Sequence, residues 1–210
     1  LYHSSSYGVQ RICPPALVEK RLVEGHDIFE KMDKTNYEIR KKIKTGVTMN
    51  LNDLVKFIGC SEINFDLVEL LASADYSIQN LPQKKIRSQG VEGVDFPSIG
   101  LSLTFKDRTA YETRNAPAKD AGKAILAAVF AYGSGSEVFA PYAGPIPFSS
   151  GAIVNRTDAL RELGPPLKTE VDEDDGIIEW DQWIKGELQL RAEYRADGSL
   201  IVFSFSTPLQ

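Results

Sequence analysis

The sequence predicts an α+β protein made of two repeats, each a short helix or two followed by antiparallel sheet, with a charged helical segment in front. Three observations carry that expectation. GELQLRAEYRADGSLIVFSFS (186–206) alternates apolar and polar residues on both sides of an Asp-Gly turn signal. NRTDALRELGPP (155–166) has the start and stop of a helix written into it. LNDLVKFIG (51–59), NFDLVELLASADY (64–76) and SIGLSLTF (98–105) set short helices and a strand earlier in the chain. The division that follows is 1–48, 49–140 and 141–210.

The chain has 210 residues, enough for one large domain or two small ones with a real core. No apolar run reaches the roughly 18–20 residues that span a bilayer. The longest, AILAAVFAY (124–132), is too short, so no membrane contact is expected. Cys13 and Cys60 are too few for a disulfide framework and lack metal-ligand spacing. No signal peptide is visible, although the chain opens on Leu1 and leaves room for earlier residues. A reducing, cytoplasmic setting is therefore expected. His3 and His26 both lie near the N-terminus, which argues against a histidine-based triad or metal site in the main body.

Net charge is −5, unevenly spread. Residues 1–48 hold nine Lys/Arg against six Asp/Glu, a balance of +3, and residues 49–210 hold fifteen against twenty-three, a balance of −8. An acidic body repels phosphates, so nucleic acid is not an expected partner, whereas a basic protein is.

Taken in order, ALVEKRLVEGHDIFEKMDKTNYEIRKKIKTG (16–46) reads as one or two charged helices. Leu17, Leu22, Ile28, Phe29, Met32 and Ile39 form its apolar stripe, and Gly25 interrupts it. Residues 1–48 are either an arm appended before Met49 or the first helical layer; both readings stand. Beyond it, Leu51, Leu54, Val55 and Ile58 share a helix face closed by Gly59. Asn64 is placed to cap the next helix. A polar linker precedes SIGLSLTF, where Ile99, Leu101, Leu103 and Phe105 fall on one strand face. KAILAAVFAYGSG (123–135) is a strand or a helix, and length does not decide. VFAPYAGPIPFSSG, with three prolines, is an irregular link.

In the second repeat Asn155 caps a helix, Asp158 suits its N-terminus, and Leu160 and Leu163 face inward. Gly164, Pro165 and Pro166 stop it. IIEWDQWI (177–184) is a strand preceding the hairpin. A two-residue Asp197-Gly198 turn pairs Tyr194 with Ile201, Ala192 with Phe203 and Leu190 with Phe205. On the opposite face it pairs Arg191 with Ser204, Glu193 with Val202 and Arg195 with Leu200.

No catalytic constellation emerges: GSGSE (133–137) lacks the lysine and helix of a phosphate loop, and SSG (149–151) has no histidine in its half to activate a serine. An enzyme is not expected, nor a cofactor or a metal. The acidic run Glu170, Asp172, Glu173, Asp174 and Asp175 supports three readings: a solvated loop, a surface for a basic partner, or a divalent-cation site without an EF-hand frame. Trp180 and Trp183, an odd offset apart, point to opposite faces of a strand. One enters the core; the other covers the sheet's second side or anchors a partner beside Glu179 and Asp181. The candidate partner-binding residues are thus Glu170, Asp172, Glu173, Asp174, Asp175, Glu179, Trp180, Asp181 and Trp183.

The order helix, LGPP, acidic loop, WDQW, GELQLRAEYRADGSLIVFS resembles a repeat shared by small bacterial α+β proteins. Those include outer-membrane assembly lipoproteins and the β-lactamase inhibitory proteins, which use two copies. With the GLSLTF strand and PIPFSSG in front, the arrangement is closer still to immunity proteins encoded beside bacterial polymorphic toxins. The likeness covers about 49–206, is strongest in 144–203, and leaves out 1–48. QRICPP around Cys13 lacks the hydrophobic helix of a lipoprotein signal, which weighs against the lipoprotein branch. The resemblance implies a non-enzymatic inhibitor that binds a cognate toxin domain. The alternative it implies is an envelope-associated structural scaffold.

Overall fold

A computed structural model describes residues 49–208. The helices expected within 16–46 lie outside these residues.

Three asparagines start three helices by the same device, a side-chain oxygen accepting a backbone N–H that the helix leaves free. Asn50 accepts from Asp53 at 3.0 Å and opens α1 (Leu51–Leu54), which tightens into a 3₁₀ turn over Val55–Phe57. Asn64 accepts from Leu67 at 3.1 Å and opens α2 (Phe65–Ser73). Asn155, at 2.9 Å from the Asp158 amide, opens a later helix, Arg156–Leu163, as its sequence predicts.

The expected polar linker between residues 76 and 98 is not a linker. It holds α3 (Gln83–Gln89) and β1 (Val91–Phe96). Their inward anchors are Leu81, Ile86 and Val94, too widely spaced to generate a periodic pattern. β2 (Leu101–Asp107) buries Leu101, Leu103 and Phe105 completely. Ile99 does not join that face: it sits in a 3₁₀ turn, 39% exposed, before Gly100 turns the chain at φ +71. A short α4 (Arg108–Glu112) leads to β3 (Ala124–Tyr132), which settles the ambiguous apolar run as a strand buried on both faces at its start. The proline-rich link is irregular as expected, and the capped helix Arg156–Leu163 is α5. Then come β4 (Lys168–Val171), β5 (Ile178–Lys185), β6 (Leu188–Tyr194) and β7 (Leu200–Ser206).

Among the described residues the seven strands form one antiparallel sheet, ordered β1-β2-β3-β7-β6-β5-β4. The class is α+β with sheet predominant. Strands from the first half of the chain meet those of the second through β3 and β7. A row of apolar residues crosses six of the seven strands, from Val94 of β1 through Leu103, Val129, Phe205 and Leu190 to Trp183 of β5. It shares one core with Leu51 and Leu54 of α1, Leu67 and Leu71 of α2, Ile86 of α3, and Ala159 and Leu163 of α5. Those four helices therefore lie on one face.

The terminal hairpin follows the expected register from Leu190↔Phe205 to Glu193↔Val202, then departs from it. Tyr194 pairs with Leu200, not Ile201, and the Arg195–Leu200 pair is not formed. The reason is the turn: Gly198 N–H donates to Arg195 O at 2.8 Å and Arg195 N–H to Ser199 O at 2.9 Å. That is a three-residue loop, Ala196-Asp197-Gly198, with Gly198 at φ +80. The extra residue is absorbed as a bulge at Glu193/Tyr194.

Candidate functional site

Strand pairing places the sequence-predicted site residues on two different faces. Asp181 and Trp183 are two apart, so they share a face, and that face is the core. Trp183 is 2% exposed, stacks on Phe203 at 6.1 Å and donates its indole N–H to Gly164 O at 3.0 Å. Lys185 Nζ donates to Leu163 O at 2.9 Å. Both side chains thus hold the C-terminal carbonyls of α5 against the sheet. Trp183 is a helix-docking residue and is removed from any surface.

Asp181 is 0% exposed. Its carboxylate accepts from Arg156 Nε at 2.7 Å, from Arg156 Nη2 at 3.3 Å and from the Thr169 hydroxyl at 2.5 Å. Arg156 is the first residue of α5, so the ion pair pins that helix's N-terminus to β5. Tyr194 lies beside this pair, its hydroxyl buried without a hydrogen-bond partner; burial, and then the Asp181 carboxylate, push its pKa up. Asp181 belongs to the fold and not to a partner-binding surface. The parity that buries Trp183 buries Asp181 with it, and that signal was already in the sequence.

Trp180 lies on the other face. Register aligns Lys168, Gln182, Arg191, Ser204, Phe130, Ser102 and Asp95 across all seven strands there. The adjacent row runs Glu170, Trp180, Glu193, Val202, Tyr132. Among the described residues one helix covers this face, α4, which packs Tyr111 on Ile125 and Ala127 at one end. Phe139 covers part of the face near Tyr132, its ring stacked at 3.8 Å. Elsewhere on this face no other helix of the described residues lies over the sheet, although Ser102 and Val202 are buried within it.

Two cations lie over the Trp180 ring, Lys168 Nζ at 4.7 Å from its centroid and the Arg191 guanidinium at 4.4 Å. Lys168 pairs with Glu170 at 2.9 Å and Arg191 with Glu193 at 3.2 Å. This patch is therefore a fixed aromatic in a charge-balanced frame, and the acidity lies next to it. Lys168 and Arg191 escaped the sequence reading because the tryptophan drew attention only to its chain neighbours; cross-strand register supplies its real ones.

The acidic run is divided by the same folding. Glu170 sits within β4, and Asp172–Ile177 form the loop to β5. Two carboxylates serve the loop itself: Asp172 Oδ1 accepts from the Asp174 amide at 2.8 Å, and Asp175 Oδ1 from the Ile177 amide at 2.9 Å. Gly176, at φ +72, completes the turn. Glu173, Asp174 and Asp175 remain exposed at its tip, and Glu179 is exposed at the start of β5. Among the described residues no group of three or more His, Cys, Asp or Glu is placed to hold a metal ion.

Ser150, the serine of SSG, is engaged by Glu162 of α5. The carboxylate accepts from the Ser150 hydroxyl at 2.8 Å, the Ser150 amide at 2.9 Å and the Gly151 amide at 3.0 Å. Those bonds, the Ser150 hydroxyl first and Arg161 also contributing, hold the Glu162 carboxyl down at about 2. This arrangement ties the irregular link to α5. A cavity of about 250 Å³ nearby is lined by Tyr132, Tyr142, Ile146, Ile153 and Leu200 among others, with no carboxylate, cation or histidine in its wall. No helix of the described residues is long and apolar enough to cross a membrane.

No protein-family model, curated protein or solved structure matches this chain.

Proposed function

We propose that the chain is a non-enzymatic immunity protein that binds a cognate, basic bacterial toxin domain in the cytoplasm and blocks its active site. In this reading 49–140 and 141–210 are two helix-plus-sheet repeats joined into one binding platform. The observation that supports it best is Trp180, half-buried with Lys168 and Arg191 over its ring, on the sheet face beside the acidic β4–β5 loop. A rigid aromatic loses little conformational entropy on binding, which is what a central anchor requires. The loop residues Glu173, Asp174 and Asp175, with Glu179 of β5, supply long-range attraction, and a basic cleft shaped for phosphates accepts such carboxylates in their place.

The two parts have separable kinetic signatures. A pull-down from native cell lysate at low salt, read by mass spectrometry, identifies the partner, and surface plasmon resonance follows. Reversing Glu173, Asp174 and Asp175 to lysine slows association about tenfold or more at low salt and flattens its salt dependence. Trp180→Ala leaves association nearly unchanged and accelerates dissociation by about tenfold or more. Recovery of a toxin domain whose binding ignores both changes would refute this surface. Recovery with the envelope fraction and no soluble partner would refute the immunity role.

A further inference from the structure

Among the described residues β4 is the last strand of the sheet, and one row of its backbone groups faces away from β5. The segment Leu167–Val171 along that edge is short, bounded by Pro166 on one side and the Asp172 turn on the other. Leu167 is 71% exposed and Val171 44% exposed. Lys168 and Glu170, opposite in sign and two residues apart, lie between them on the face shared with Trp180. The segment is symmetric in chemical type about Thr169: apolar, charged, Thr169, charged, apolar.

We propose that this edge pairs with the same edge of a second copy of the chain, antiparallel, about a two-fold axis through Thr169. Such an axis makes every contact occur twice. Leu167 of one copy meets Val171 of the other, covering apolar surface that each monomer leaves in water. Lys168 meets Glu170 of the other copy, and the two existing Lys168–Glu170 pairs merge into a row of four alternating charges. The hydrogen-bonding phase is satisfied whichever way Thr169 points, because narrow and wide pairs alternate about the axis. The bulge at Glu170/Val171 leaves out a β5 residue, Glu179, so β4 itself remains continuous for pairing.

The other sheet edge lacks this property. A two-fold centred on Gly93 or on Val94 of β1 sets Glu92 against Val94 or against Phe96, with no opposite charge to meet it. The geometry also keeps the acidic tips apart. Because the strands run antiparallel, the two β4–β5 loops leave at opposite ends of a five-residue ribbon, on the order of 17 Å from one another. The sheet then runs continuously through both copies and carries both Trp180 faces on one side.

The test is sedimentation velocity of the full chain from roughly 10 μM to 1 mM, a range suited to a small interface. Wild type shifts from monomer to dimer as concentration rises. Glu170→Lys places four like charges at the axis and weakens the dimer at least about tenfold, since each change acts twice. The double swap Lys168→Glu with Glu170→Lys restores complementarity and brings the dimer back. Circular dichroism of each variant verifies the fold. A chain that stays monomeric throughout, or a dimer that ignores Glu170→Lys, or one that the double swap fails to rescue, overturns the proposal.

Discussion

The Asp181 carboxylate, wholly inside the protein, is stable there because Arg156 and Thr169 replace the water it has lost. Removing the cation is worse than removing the acid, because Arg156 is partly exposed while Asp181 is not. Arg156→Met is expected to lower stability by about 3–5 kcal/mol. Urea unfolding with an unchanged slope tests it, and a loss under about 1 kcal/mol would deny the pair its role. Glu162 makes a prediction that depends on pH. Its folded carboxyl sits at about 2, below its ordinary 4.5. The grip on Ser150 and Gly151 is therefore complete above about pH 4.5, fades as pH falls, and is gone below about pH 2. Protection of the Ser150 and Gly151 amides, their exchange taken relative to the intrinsic rate at each pH, should fall over that window, and Glu162→Gln should make that protection independent of pH.

At the scale of elements, the second half of the chain was largely legible. Capping and stop residues define α5, and alternation defines β6 and β7, because both signals are local and compact. The β6–β7 turn is where local reading stopped. Asp-Gly is compatible with loops of two or three residues, and the core decided between them by fixing Leu190 opposite Phe205. Gly198→Ala adds a Cβ with no atom within 4 Å, so its effect is backbone strain alone, about 1 kcal/mol at φ +80. A thermal midpoint that does not move would contradict the left-handed loop. The segment 77–97 was illegible for the opposite reason. Its helix and strand each contribute one or two buried residues to a core supplied mainly by others, so no period forms.

For the described residues as a whole, the continuous sheet has an energetic consequence. The core spans β1 to β5 without a break, and β3 pairs with β7 at the seam. Neither half can leave without exposing the other's apolar row, so the described residues are expected to unfold in one transition. Trp183 fluorescence reports the second half and hydrogen exchange of β2 amides the first. Coincident midpoints are expected, and two separated ones would mean the halves are energetically independent. The charge balance of −8 over residues 49–210 acts at the same scale. It repels phosphate backbones and attracts basic surfaces over about 8–10 Å at ordinary ionic strength, which makes association the salt-sensitive step.

The sequence by itself determined what depends on neighbours along the chain: the helix caps, the LGPP stop, the strand alternation, the opposite faces of Trp180 and Trp183, and the uneven charge. Only the tertiary structure decided what depends on neighbours across strands. It buried Asp181 against Arg156, set Lys168 and Arg191 beside Trp180, and turned two of the three loop aspartates into turn caps. The reason is physical. Periodicity assigns a residue to a face, but which groups meet on that face is set by register between strands distant in sequence, and register is fixed by packing the core.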